Sequence, residues 1–197
     1  MPLPAAFYLR PAPTVARDLL GCVLVSRRGR ALTAGRIVET EAYLGPEDGA
    51  SHAAFRPGSH RLFYGAGGVA YVFLNYGTHH CLNAIAGPVG TPGCVLIRAL
   101  EPVRGADVMA ARRRLPSGSP ALTNGPAKLT QALAITLAAN GADLARGRLR
   151  IADRDRPVAA AVATGPRVGI TRAADRAWRF GMRGSPFLSR PFPAARE

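Results

Sequence analysis

Three residues that could do chemistry stand at alternate positions in one stretch. They are Glu39, Glu41 and Tyr43, within Arg36-Ile-Val-Glu-Thr-Glu-Ala-Tyr-Leu-Gly-Pro-Glu-Asp-Gly-Ala-Ser-His52. The β-branched Ile37, Val38 and Thr40 predict a strand, and Gly45-Pro46 marks a turn after it. Alternation then sets Ile37, Glu39, Glu41 and Tyr43 on one face and Val38, Thr40 and Ala42 on the other. A buried carboxylate must be paired or must titrate. The stretch therefore reads either as a general base beside an aromatic platform, or as an edge strand whose glutamates point to water.

The chain as a whole narrows the choice of partner. Its 197 residues, 48% of them hydrophobic, suit one globular domain spanning 1–197. Basic residues number 26 against 12 acidic, a formal charge of +14. Lys128 is the single lysine, so the charge is almost all arginine. Such a balance favours a polyanion and offers bidentate phosphate contacts. It names a partner class and leaves the reaction open, since a purely structural nucleic-acid binder would share it.

Other chemistries find little support. Cys22, Cys81 and Cys94 are widely spaced and read as reduced thiols, with Cys22 and Cys94 in apolar runs. No phosphate-binding loop or dinucleotide fingerprint is present. The adjacent His79 and His80 would point to opposite faces of a strand, and His52 and His60 fall in irregular chain, so no zinc-like spacing emerges. A serine nucleophile elbow is also missing. No secretory leader or membrane-length run is seen. The expectation is a soluble cytoplasmic protein, nucleoid-associated if bacterial, with no cofactor and no metal.

The elements that would position these residues follow in order. Pro13–Leu20 reads as a short helix capped by Thr14 and closed by Gly21. Cys22–Ser26 reads as a strand joined through Arg27-Arg28-Gly29-Arg30 to the carboxylate strand. Residues 45–68 lack periodicity and read as one long loop carrying His52, Arg56, His60 and Arg61. Ala70–Leu74 and His80–Ile85 make a hairpin with Asn75-Tyr76-Gly77-Thr78 at its turn. Tyr76 there either folds back on its own strands or serves as a wedge between bases. Cys94–Leu100 is a strand that puts Arg98 in an apolar run, with Glu41 or Glu39 as its partner. Gly105–Arg114 is helical. A second helix begins at Asn124 as cap with Pro126 in its first turn and runs until Asn140-Gly141; its start, with Lys128, suits a phosphate. Val158–Val162 and Arg167–Ile170 are strand-like.

Taken together, five blocks carry a family resemblance. These are Arg36 to Asp48, Asn75-Tyr-Gly through Asn83, Val95 to Pro102, Gly125-Pro-Ala-Lys-Leu-Thr-Gln-Ala-Leu133, and Pro166-Arg-Val-Gly-Ile170. In content and order they resemble the alkyladenine (3-methyladenine) DNA glycosylase family, over nearly the whole chain. The resemblance implies an α+β fold: a single mixed domain with a curved antiparallel sheet, flanking helices and a protruding hairpin that enters the minor groove. It also implies a monomer that acts on double-stranded DNA containing damaged purines, away from membranes. The implied activity is metal-free, monofunctional excision of alkylated or deaminated purines by base flipping.

Residue by residue, Glu41 matches the family's general base and Arg98 the arginine that helps hold the attacking water. Tyr43 and His52 match residues that stack on or hydrogen-bond to the flipped base. Tyr76 matches the intercalating tyrosine, and Asn83 the side chain that disfavours the exocyclic amine of guanine. Phe73 departs from a family tyrosine on the opposite pocket wall, keeping a ring face for stacking and losing the hydroxyl. Two other readings stand beside this one. The first is a non-catalytic nucleic-acid binder on the same fold. The second is a strand-cleaving glycosylase with Lys128 as Schiff-base nucleophile.

Overall fold

The computed structural model describes residues 1–153 and 162–193. Its frame is a curved antiparallel sheet ordered β3-β4-β5-β2-β1-β6, with β8 also pairing β2 and β7 pairing β8. The strands are β1 (Val23–Arg28), β2 (Ala31–Tyr43), β3 (Ala70–Asn75), β4 (His79–Ile85), β5 (Cys94–Arg104), β6 (Leu149–Ala152), β7 (Val162–Gly165) and β8 (Arg179–Met182). Short helices flank it: α1 (Ala5–Tyr8), α2 (Ala12–Asp18), α3 (His52–Phe55), α4 (His60–Phe63), α5 (Ala106–Arg113) and α6 (Pro126–Ala132). This is the α+β architecture expected from the sequence.

The carboxylate strand is not an edge. Thirteen residues long, β2 pairs with β1 along its first half and with both β5 and β8 along its second. Glu39 and Glu41 lie in that doubly paired second half and are closed to solvent. The water-facing reading of these glutamates is therefore overturned. Register shifts against β5 on either side of Glu39 bend the strand there. On the other face Thr40 donates its hydroxyl to the Ala16 carbonyl of α2, 2.7 Å away. Leu20, Ile37, Val95, Ile97 and Leu100 belong to the main core beneath.

Several local expectations change. Helix α2 starts after Pro11 without a side-chain cap, and Thr14 lies inside it. Residues 45–68 are not one irregular loop, because α3, a 3-10 turn and α4 break them into short helical turns. Ser51 caps α3 by accepting the Ala53 amide. Asn124 is not the cap of α6; Gly125 holds that position, and the Asn124 side chain accepts from Lys128 instead. Helix α6 also stops at Ala132, well before Asn140, with Ala134 in the left-handed region (φ 52°). That reversal returns the chain so that Ile135 reaches the core. Helix α5 and the β3–β4 hairpin fall where expected. Residues 158–161 of the Val158–Val162 expectation lie outside the described residues, and Val162 opens β7. Arg167–Ile170 forms bends and not a strand. No helix among the described residues is long and apolar enough to cross a membrane.

Gly35 shows how closely β2 and β5 meet. A Cβ there would sit 2.8 Å from Leu100 Cβ and 3.2 Å from the Glu101 carbonyl. Leu100 is fully buried and cannot swing away. Gly35→Ala is expected to cost about 1–3 kcal/mol through overpacking. Thermal unfolding should show Tm falling by several degrees, at about 2–4 °C per kcal/mol for a chain of this size.

Candidate active site

The two glutamates of β2 sit two residues apart and have different surroundings. Glu39 Oε1 accepts from Arg98 Nε (3.1 Å), Arg179 Nε (2.7 Å) and Ser189 Oγ (2.8 Å). Its Oε2 accepts the Ser189 amide at 2.5 Å. Four donors thus surround this carboxylate, three of them crowded on Oε1. Glu39 ties β2, β5 and β8 to the C-terminal segment and is not part of the cavity wall described next.

Glu41 is turned the other way. Its Oε1 accepts the Val168 amide (2.7 Å), and its Oε2 accepts the Tyr43 hydroxyl (2.8 Å) and pairs with Arg98 Nη1 (3.3 Å). Three of the roughly four acceptor sites of an ionised carboxylate are used. Tyr43, Arg98 and Val168 all line one cavity of about 260 Å³. Glu41 therefore stands one residue behind the cavity wall, held by residues that belong to that wall. Arg98 is shared by both carboxylates, so the alternatives for its partner are both realised. Burial opposes its charge, but Glu41 and Glu39 more than offset that and hold its pKa above the ordinary value. Burial, reinforced by the Glu41 charge, pushes the Tyr43 phenol well up, so it remains a donor at neutral pH.

Aromatic rings make most of the remaining wall. His52 meets Phe73 edge-on at 4.3 Å between centroids and Phe55 at 5.2 Å. The 4.3 Å contact leaves no room for another ring between His52 and Phe73, so the two form one surface. Tyr71 stacks on Phe73 at 5.4 Å and shares a 2.8 Å hydrogen bond with His52 Nδ1. Burial first, and Arg56 second, lower the His52 pKa to about 4, which keeps the ring neutral at physiological pH. Asn83 lines the same cavity from β4, its amide held between the Tyr71 carbonyl (3.2 Å) and Cys94 (3.7 Å). The volume lies below the range of roughly 300–1,000 Å³ usual for drug-sized ligands. It suits one flat ring system.

Tyr76 stands at the hairpin tip, among the residues at the cavity, and is 87% exposed. It is not folded back on its strands. Tyr76 and Gly77 take φ of 49° and 69°, the two positive values of a type I′ turn. A tyrosine held in that region without core packing is the kind of unfavourable backbone that marks working sites. Lys128 is elsewhere: its Nζ donates to Asn124 Oδ1 at 2.8 Å, and of α6 only Pro126 reaches the cavity. All three cysteines are buried, and none forms a disulfide among the described residues.

The structure adds residues the sequence did not single out. Asp48 accepts the Leu44 and Ala50 amides and forms a bidentate pair with Arg167, at 2.6 and 2.8 Å. Tyr71, Phe55 and Val168 also line the wall, while Arg179 and Ser189 hold Glu39. Asp48 sits in a turn-like run that reads as loop chemistry. Arg167 and Arg179 are two among many arginines.

Comparison with known proteins gives a consistent picture. The family model described as methylpurine-DNA glycosylase matches residues 6–186. A protein of Anaeromyxobacter dehalogenans named "Putative 3-methyladenine DNA glycosylase" is 49% identical over 200 residues, covering 99% of this chain and 89% of its own. Proteins with the same name from Koribacter versatilis and Methanoculleus marisnigri are 47% and 46% identical. Those two alignments cover 95% and 96% of this chain and 93% and 100% of the relatives.

The half-buried His52 gives a direct check on this geometry. An NMR titration of the His52 ring protons should show a midpoint near pH 4, well under the ordinary value. Because the folded pKa is depressed, unfolded chains bind the extra proton between those two values. Stability from this group is therefore complete above pH about 6.5 and is lost as pH falls towards 4. A midpoint near 6.5 would mean that the ring is solvated and not packed against Phe73 and Tyr71.

Proposed function

Since the chain belongs to the methylpurine-DNA glycosylase family, we propose that it removes alkylated or deaminated purines from double-stranded DNA by hydrolysing the N-glycosidic bond. The observation that carries this reading is the placement of Glu41: a buried carboxylate fixed by three residues of an aromatic cavity that opens beside an exposed tyrosine. The damaged nucleotide leaves the duplex and its base enters the cavity. Tyr43 provides one stacking surface, and Phe73 with His52 provides the other. A cationic N-alkylated purine gains cation–π attraction there, about 0.5–2 kcal/mol. Asn83 projects where an exocyclic amine of guanine would sit and so selects against the normal base.

Bond cleavage leaves oxocarbenium character on the sugar. Glu41 stabilises that charge and takes the proton of the attacking water, while Arg98 holds the water. Alkylated purines leave without further help because they already carry positive charge. Phe73 has no hydroxyl to donate, so neutral bases depend on protonation from elsewhere. The chain acts as a monomer, and the reaction needs no metal or cofactor. It is monofunctional: Lys128, held by Asn124 away from the cavity, does not attack the sugar. The non-catalytic alternative would leave the position of Glu41 behind the cavity wall without a use.

Duplexes carrying one defined lesion test the activity itself. Incubation should release free base and leave alkali-labile sites, and intact strands with every lesion would refute it. Glu41→Gln should still bind lesion DNA while base release drops by about 10²–10⁴, the usual contribution of a general base. Borohydride added during turnover should trap no covalent complex. A trapped species that vanishes in Lys128→Ala would overturn the monofunctional assignment.

Tyr76 fills the gap left by the flipped nucleotide. Base stacking on an aromatic side chain contributes roughly 1–3 kcal/mol. Tyr76→Ala should therefore lower the flipped population, most for a well-paired lesion, while the fold is unchanged. A fluorescent base analogue at the lesion reports this directly. Equal flipping by parent and variant would remove the wedge.

A further inference from the structure

Arg167 occupies an unusual position behind the cavity. Its guanidinium lies over the Tyr43 ring at 4.6 Å from the centroid and over the Trp178 ring at 5.0 Å. The residue is buried and is not part of the cavity wall, whereas Tyr43 is. The phenol ring thus separates a fixed positive charge from whatever occupies the cavity. Asp48 answers that charge with two short hydrogen bonds, and both side chains of the pair are closed to solvent.

Asp48 has no visible duty towards a ligand, since it too is absent from the wall. Its effect is on balance. The other buried charges beside the cavity are Glu39, Glu41, Arg98 and Arg179, two of each sign. With Asp48 and Arg167 included, three carboxylates face three guanidiniums. A cavity backed by a neutral set can accept a cationic ring. The same cavity with Arg167 unanswered would repel one.

We propose that Asp48 and Arg167 form a specificity-determining pair, in which Asp48 cancels the charge behind Tyr43 and so admits cationic bases. This rests on the base-excision reading of the cavity. A base stacked on the free face of Tyr43 would lie about 8 Å from the guanidinium, a distance at which an unbalanced unit charge at protein-like dielectric changes binding by roughly ten- to thirtyfold. The pair is a positioning device for charge and does not touch substrate. It also joins the Leu44–Ala50 turn, which leads into His52, to the segment carrying Val168. Substitution could therefore act through shape alone, and the test must separate shape from charge.

The readout is a ratio of dissociation constants. Two duplexes differ at one nucleotide, carrying either N7-methylguanine, which is cationic, or hypoxanthine, which is neutral. Each has a 2′-fluoro sugar, whose electron withdrawal slows cleavage so that binding can be measured. Asp48→Asn should weaken the cationic duplex by roughly ten- to thirtyfold relative to the neutral one. Arg167→Gln at pH 8 should move the ratio the opposite way. The double variant, with a neutral amide pair, should return it close to the parent value. Circular dichroism selects the folded variants, and either single variant alone is sufficient. An unchanged ratio in a folded single variant, or a shift to the same side in both, overturns the proposal. Base release from unfluorinated duplexes is followed in parallel with the parent chain. Failure there refutes the excision reading, whereas release with an indifferent ratio refutes only the charge pair.

Discussion

A charge removed from water must meet its opposite, and that requirement organises this molecule. Among the described residues the buried charged side chains are six: Glu39, Glu41, Asp48, Arg98, Arg167 and Arg179. All six are engaged in ion pairs with one another. Arg98 links the two glutamates, and Arg167 lies against Tyr43, whose hydroxyl binds Glu41. The central strand, β5, β8, the turn before His52 and the C-terminal segment are fastened by one set of contacts. The same set fixes the carboxylate proposed to do the chemistry.

Within that set the division of labour comes from local geometry. Glu39 and Glu41 share a strand and a face, yet the register shifts around Glu39 and the pairing with β8 give them different neighbours. One is surrounded by donors and spent on holding strands together. The other keeps an acceptor position beside a cavity lined by rings. Strand alternation alone places both carboxylates on the same side and cannot choose between them.

Much of this frame is legible in the sequence because the signals are local. The β-branched run around Glu39 and Glu41, the Asn75-Tyr76-Gly77 turn and the apolar run holding Arg98 each declare themselves within a few residues. The partners do not. Arg179 lies 140 residues from Glu39, and Ser189 lies 150 residues away. Nothing marks one arginine out where 26 residues are basic. Four-residue helices such as α3 and α4 are too short to show a period, which is why 45–68 reads as loop. The end of α6 escapes notice because tertiary burial of Ile135 overrides the helical pattern. The roles assigned to Tyr43, His52, Asn83 and Arg98 came from family resemblance; the residue types alone do not dictate them.

This division of labour assigns Glu39 to holding the structure and Glu41 to the proposed reaction. Denaturant unfolding of Glu39→Gln beside Glu41→Gln tests it most directly. Among the described residues Arg179 pairs with Glu39 alone, so Glu39→Gln leaves a buried guanidinium without its carboxylate. The expected loss is about 3–5 kcal/mol. Glu41→Gln leaves Arg98 still paired with Glu39 and should lose clearly less. A Glu41→Gln protein less stable than Glu39→Gln would contradict that division, because the carboxylate assigned to chemistry would then be the one holding the fold.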